Sequence, residues 1–186
     1  MGHVTVSGEP EALPELALSV RQPWAWAILH AGKDVENRSL GSIRAGRMVC
    51  RRIALHAASG MRRVEYDWAL WRMEQDGVSV PHPDDLPRRA IIGSVEVVEI
   101  ITESTSPWFG GQAGLRLKDP RPCDPIPASG ALGYFAWAPG GEMAKPLAWM
   151  QRYSATDAEQ GLFDALPVQF ETPPEKPFGT GKSRKR

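Results

Sequence analysis

The run of residues Ala90–Ile101, AIIGSVEVVEII, constrains the fold more than any other segment of the chain. It is rich in Ile and Val, whose branched side chains favour the pleated surface of a sheet. We therefore expect a long strand in the middle of the chain and a fold organised around a sheet.

Shorter segments with strand character lie on both sides of this run. Helices are expected in two places: one follows Pro23, which suits the first helical position, and ends near Gly32, and the other covers Met61–Gly77. The remaining strands are expected at Leu16–Val20, Arg47–Ala58, the segment that begins at Ala113, and Ala131–Ala138, with residues 34–39 as a further strand or an extended loop.

The expected strands outnumber the expected helices and do not alternate with them. This pattern predicts an α+β fold, a small mixed β-barrel with two to three helices packed around it, rather than a doubly wound parallel sheet. Hydrophobic residues make up 42% of the chain, enough for a real core. We expect a disordered lead-in over residues 1–14, the barrel domain over 15–138, and over 139–186 an extension with a short helix near 157–166 and a basic end.

Composition excludes several classes of function. The 22 basic residues balance the 22 acidic ones, so the chain is not a bulk polycation, although a local basic patch stays open. The two cysteines form no CxxC motif, so we expect neither a metal site nor a disulfide framework, and no cofactor pattern is present. The absence of a secretory signal or a long apolar run predicts a cytoplasmic protein that does not bind membranes.

Four residues at the start of the first expected helix are candidates for binding. Arg21 offers a planar fork for a phosphate or a carboxylate, Gln22 offers a donor and an acceptor for a base edge, and Pro23 begins the helix. Trp24 supplies either a stacking face or core packing. Unsatisfied backbone N–H groups at the start of a helix also attract anions.

Charged residues follow the same helix. Lys33, Glu36 and Arg38 either form part of a polar cleft, in which the lysine could act as a base of lowered pKa, or form an ion-pair set that ties the helix to a strand. His56 is either a hydrogen-bonded core histidine or a contributor to the same cleft.

Arginines are concentrated between residues 37 and 64, a stretch that contains no acid. Several of them on one face would form a groove for a nucleic-acid backbone, whereas strand alternation would scatter them. The candidates for backbone contacts are Arg44, Arg47, Arg51, Arg52, Arg62 and Arg63, beside Arg38.

Read together, residues 19–38, SVRQPWAWAILHAGKDVENR, resemble the signature of the ASCH family (activating signal cointegrator homology). The resemblance rests on Ser19–Ala25 and on Gly32, Lys33, Glu36 and Arg38. Weaker matching pieces occur in the expected order as far as residue 138: Gly46-Arg47, Leu55–Ala58, Ile92–Val95, Asp119–Pro122, Pro127, Gly130 and Gly133.

The resemblance implies a PUA-like β-barrel and a link to nucleic acids. The expected function is therefore binding of RNA, of another single-stranded nucleic acid, or of a nucleotide, in a polar and aromatic cleft beside the arginines. A protein partner on the C-terminal tail is a weaker alternative.

The resemblance also implies an enzymatic alternative, since some compact ASCH proteins look like amidohydrolases of N4-acetylcytidine. Their pattern pairs a lysine with a threonine three residues later. Lys33 matches the lysine, but Glu36 replaces the threonine, so Glu36 would have to activate a water molecule. A ribonuclease that uses Lys33, His56 and Ser129 is a further possibility.

Overall fold

The computed structural model describes residues 12–154 of the 186-residue chain. The expected lead-in up to residue 11, the tail helix near 157–166 and the basic end lie outside the described residues. The elements in chain order are β1 (Leu16–Val20), α1 (Trp24–His30), β2 (Val35–Arg38), α2 (Leu40–Ala45), β3 (Arg51–Ala57), α3 (Arg63–Glu74), β4 (Ala90–Ile101), β5 (Ala113–Pro127), β6 (Tyr134–Ala136) and α4 (Ala148–Gln151).

The six strands form one mixed sheet in the order β2-β5-β4-β3-β1-β6. The expected α+β class is confirmed, and the long strand at Ala90–Ile101 has the predicted bounds. The expectation of a closed barrel is wrong: within residues 12–154, β2 and β6 are the two edges of an open sheet. These edge strands have four and three residues, and each pairs with a single neighbour, β2 with β5 and β6 with β1.

The strand expected to begin at Ala113 continues through a segment that contains several prolines. The proline-punctuated stretch after Asp119 belongs to β5, which runs for 15 residues beside β4. Three shifts of register between the two strands accommodate it, because a proline cannot donate to a regular ladder. Gly93 permits the close approach, since a Cβ there would lie 2.5 Å from the carbonyl oxygen of Arg121.

The largest apolar cluster packs α1 and α2 on the sheet, around Ile28, Ile43, Leu55 and Leu115. The short helix α2 was not predicted; Ser39 caps it by accepting a hydrogen bond from the backbone N–H of Ser42 at 3.1 Å. None of the helices in the described part of the chain is long and apolar enough to cross a bilayer.

Part of the expected C-terminal extension packs against the domain. Met150 of α4 is fully buried beside Tyr66 of α3. The hydroxyl group of Tyr153 donates a hydrogen bond to Asp67 at 2.8 Å. The compact unit therefore continues past residue 138 to at least Tyr153.

Candidate nucleic-acid interface

The turn between β1 and α1 is held by a buried amide. Gln22 is completely buried, and the peptide bond between it and Pro23 is cis. Its Oε1 accepts a hydrogen bond from the backbone N–H of Trp26 at 3.0 Å, and its Nε2 donates to the carbonyl of Pro87 at 2.9 Å. Gln22 thus joins α1 to the segment before β4, and both ends of its amide are occupied by protein.

Trp24 packs into the protein rather than presenting an open stacking face. Its ring lies edge-on to Trp68, with 5.0 Å between the centroids, and it contacts two apolar clusters. The indole Nε1–H is buried and donates to no acceptor in the described part of the chain. The polar edge of Trp24 is therefore the part that still lacks a partner.

Arg21 lies at the surface beside the same turn. Its guanidinium group bonds Glu65 of α3 at 2.7 Å while 39% of the side chain stays exposed. Arg62 bonds the same carboxylate oxygen at 2.9 Å. Glu65, a buried acid in the first turn of α3, therefore binds both Arg21 and Arg62.

Lys33, Glu36 and Arg38 form a connected ion-pair set, one of the two arrangements that the sequence left open. The Lys33 ammonium group lies 3.3 Å from one oxygen of Glu36, and Arg38 lies 3.2 Å from the other. Lys33 also donates to the carbonyl of Val35. Burial lowers the pKa of Lys33 because the cation loses its water, and Glu36 acts in the opposite direction.

Arg38 also connects this set of charged residues to β1. Its Nη2 donates to the carbonyl oxygen of Ser19 at 2.7 Å. The Nε–H of the same guanidinium group is buried and has no acceptor among residues 12–154. Nη2 of Arg38 is therefore engaged by Ser19 and Glu36, while the buried Nε–H lacks an acceptor in this part of the chain.

The arginines separate into two groups along β3. Arg51 begins that strand, and Arg44 and Arg47 lie exposed on α2 and the turn after it. Burial and then the nearby Cys50 raise the pKa of Tyr134 to about 12, while Arg51 and Arg38, which both lie near the phenol, act in the opposite direction. We call Arg38, Arg44, Arg47 and Arg51 the basic edge.

The other three arginines are bound to acids. Arg52 pairs with Asp119, Arg62 with Glu65, and Arg63 with Asp67 at 3.6 Å. Arg62 and Arg63 follow the far end of β3, about 20 Å from Arg51 at the usual rise of a strand.

His56 is buried and uses both ring nitrogens. Nδ1 lies 2.9 Å from the hydroxyl of Ser19, and Nε2 lies 3.1 Å from the carbonyl oxygen of Ala128. A cleft of about 460 Å³ opens beside it. A second cleft of about 430 Å³ lies between α1 and the β4–β5 pair, with Trp26 and His30 in its wall.

Neither of these clefts is lined by Trp24, Lys33, Glu36 or Arg38. His56 is a buried, hydrogen-bonded histidine, the first of the two roles that the sequence left open, and it lines the cleft of about 460 Å³ rather than one shared with these residues. Arg38 and His56 are nevertheless connected, because one contacts the backbone of Ser19 and the other contacts its side chain.

Neither Ser19 nor Arg89 was predicted from the sequence to belong to a site. Ser19 lies inside the ASCH-like block, where its alternation on β1 could have placed it on the face opposite Leu18. Arg89 has a φ of 58°, in the left-handed region, and nothing in the sequence around it indicates that conformation.

The described residues contain one group of side chains that could approach a metal ion, His82, Asp84 and Asp85 on the loop before β4. His82 contacts Asp84 directly through Nδ1, and its Nε2 lies 3.0 Å from the carbonyl oxygen of Tyr153. With both ring nitrogens engaged in the protein, His82 joins this loop to the C-terminal segment.

No family model matches the chain, and no curated protein matches its sequence significantly.

Proposed function

We propose that the protein binds single-stranded nucleic acid, and RNA in particular, at the junction of β1, α1 and β2. The observation that carries the proposal is the pair of buried donors without acceptors, Trp24 Nε1–H and Arg38 Nε–H. Leaving a buried donor unpaired costs about 1–3 kcal/mol, so an acceptor from outside the protein would recover that cost.

The two donors belong to one part of the fold. Trp24 begins α1, and Arg38 is bonded to Ser19 near the end of β1, where the chain turns toward that helix. Glu36 adds acceptor oxygens next to Arg38. Donors and an acceptor together fit the edge of a nucleobase, which presents ring nitrogens, carbonyl oxygens and amino groups.

The basic edge supplies a path for the phosphate backbone. Arg44, Arg47 and Arg51 are exposed, and none of the three has a carboxylate partner among the described residues. Each phosphate contact would add a salt-dependent contribution to affinity. The proposal agrees with the resemblance to ASCH domains of PUA-like fold, which stays a prediction.

Binding is favoured over hydrolysis of N4-acetylcytidine by the state of Lys33. This residue is 5% exposed, and its ammonium group already donates to Glu36 and to the carbonyl of Val35, so it is not free to activate a nucleophile. Incubation with N4-acetylcytidine tests the alternative, because turnover that disappears in Lys33→Ala would replace binding by catalysis.

Fluorescence anisotropy with a short labelled single-stranded RNA tests the proposal. Trp24→Phe removes the unpaired N–H and keeps an aromatic ring, so we expect affinity to fall by about tenfold, the value of one good hydrogen bond. Trp26→Phe is the matched control, since that indole lies on the same helix but in the wall of the cleft of about 430 Å³.

Saturable binding that Trp24→Phe weakens and Trp26→Phe does not weaken is the expected result. No binding by the wild-type protein at low salt, or equal effects of the two substitutions, would overturn the proposal. A parallel titration with single-stranded DNA of the same sequence tests the preference for RNA.

A further inference from the structure

Ser19, His56 and the carbonyl of Ala128 form a hydrogen-bonded series. The Ser19 hydroxyl lies 2.9 Å from Nδ1 of His56, and Nε2 of His56 lies 3.1 Å from the Ala128 oxygen. A carbonyl can only accept, so Nε2 carries the proton and Nδ1 is the lone pair that receives the serine hydroxyl. The carbonyl thus fixes the tautomer in which His56 can take a proton from Ser19.

The same pair borders an open cavity. Ser19 and His56 line the cleft of about 460 Å³, together with Ser59, Arg89 and Ser129. That volume is within the usual range for a small-molecule site. A substrate in this cleft would lie against the two residues.

The loop beside the pair has a glycine at position 130 for a steric reason. A Cβ on Gly130 would lie 2.7 Å from Oγ of Ser19 and 2.8 Å from Nδ1 of His56. Any side chain at this position would press on the hydrogen bond between them. Because residue 130 is a glycine, the backbone passes close to the Ser19 hydroxyl group without displacing it.

We propose that Ser19 and His56 are a nucleophile and its general base, and that the cleft hydrolyses carboxylic esters that carry a negative charge. An activated serine requires a base within hydrogen-bond reach and a third group that orients the base, and all three are present. Ala128 acts as the orienting group through its carbonyl.

The charge of the substrate follows from Arg89. Its guanidinium group lines the cleft, 3.4 Å from the hydroxyl of Ser129, and has no carboxylate partner within residues 12–154. An anionic group on the substrate would pair with it. Burial lowers the pKa of His56, which keeps its ring neutral at physiological pH as a base requires.

The reaction has two stages. Oγ of Ser19 forms a bond to the acyl carbon, the serine proton passes to Nδ1 of His56, and the alcohol leaves with that proton. Water then attacks the acyl-serine, gives a proton to His56, and the serine oxygen leaves and recovers it. The sum is ester plus water giving carboxylic acid plus alcohol.

A fluorophosphonate probe tests the nucleophile in the full-length wild-type protein. Attack by Ser19 forms an O–P bond and expels fluoride, and peptide mapping by mass spectrometry should place the adduct on Ser19. His56→Gln should reduce the labelling rate by at least a hundredfold, and Ser19→Ala should abolish it. Ser42→Ala is the control, because that serine lies on α2 outside this cleft and its hydroxyl group donates to the backbone carbonyl of Ser39.

Hydrolysis of a nitrophenyl ester with a free carboxylate is compared with that of nitrophenyl acetate. We expect the anionic ester to be preferred, and the preference to disappear in Arg89→Ala. An unlabelled Ser19 in folded wild-type protein, or labelling that survives His56→Gln, would overturn the proposal. RNA binding is scored separately, so this failure is distinguishable from a failure of the proposed function.

Discussion

The guanidinium group of Arg38 on β2 donates a hydrogen bond to the carbonyl oxygen of Ser19 on β1 at 2.7 Å, although three strands separate β2 from β1 in the sheet. The sheet must therefore curl until its edge strand approaches β1. The side chain of Arg38, rather than a ladder of backbone hydrogen bonds, connects β2 to β1. The candidate base-binding site lies at this junction, so its shape depends on Arg38.

Arg38→Ala should reduce the free energy of unfolding by about 2 kcal/mol, because a charge-assisted hydrogen bond and an ion pair with Glu36 are both lost. Urea denaturation measures the change. Arg116→Ala is the matched control, since its pair with Glu99 is exposed and worth at most about 1 kcal/mol. Equal effects of the two substitutions would show that Arg38 does not hold β2 to β1.

Glu36→Gln should lower the free energy of unfolding by about 3 kcal/mol, and Lys33→Gln should lower it by about 1.5 kcal/mol. Removing the acid leaves Lys33 and Arg38 as neighbouring cations with no charge between them. Removing the lysine leaves Glu36 still paired with Arg38. The two variants are compared by denaturant midpoint at constant slope, and the reverse order would contradict the ion-pair arrangement.

The contribution of His56 to stability should decrease as the solution becomes acidic. Burial lowers the pKa of His56 in the folded protein, while the hydrogen bond to Ala128 acts in the opposite direction. Acid therefore protonates the unfolded chain first, so this contribution is complete above about pH 6.5 and is lost below it. The stability advantage of the wild type over His56→Gln should shrink between about pH 7.5 and pH 5.5.

The contribution of His82 to stability should depend on pH in the opposite way to that of His56. The carbonyl of Tyr153 and then Asp84 raise the pKa of His82, so its contribution is present in acid and is lost as the pH rises. The advantage of the wild type over His82→Gln should therefore grow over the pH range in which that of His56 shrinks. Parallel curves for the two variants would contradict the assigned environments.

The basic edge should determine how RNA affinity depends on salt. If Arg44, Arg47 and Arg51 each contact a phosphate, the logarithm of the binding constant should fall with the logarithm of salt concentration with a slope of about −2. Arg51→Ala should reduce the steepness by about 0.7. Arg63→Ala, at the other end of β3 and paired with Asp67, should leave the slope unchanged.

The sequence predicted the elements where side-chain type alone decides the structure. β1 and β4 were found with the expected bounds because their branched residues form buried strands. The start of β5 at Ala113 was predicted but its end was not, because its prolines oppose a ladder locally and only the bulged pairing with β4 accommodates them. The short helices α2 and α4 were not predicted, since tertiary packing stabilises them more than their own periodicity does.

The candidate site shows the same division. The association of Lys33, Glu36 and Arg38 was within reach of sequence reasoning, because the three charges are close along the chain. The bond from Arg38 to Ser19 depends on the curl of the sheet, which no local pattern encodes. Gln22 was expected to read a base edge, but its amide is fully used inside the protein, a fact that depends on Pro87, distant in sequence.

The most direct test of the binding proposal is the indole N–H resonance of Trp24 in protein labelled with ¹⁵N at tryptophan, assigned with the Trp24→Phe variant. Addition of a short single-stranded RNA should move this resonance downfield in a saturable manner as the donor acquires an acceptor, while the resonance of Trp26 stays in place. A Trp24 resonance that does not move at saturating RNA would contradict the account.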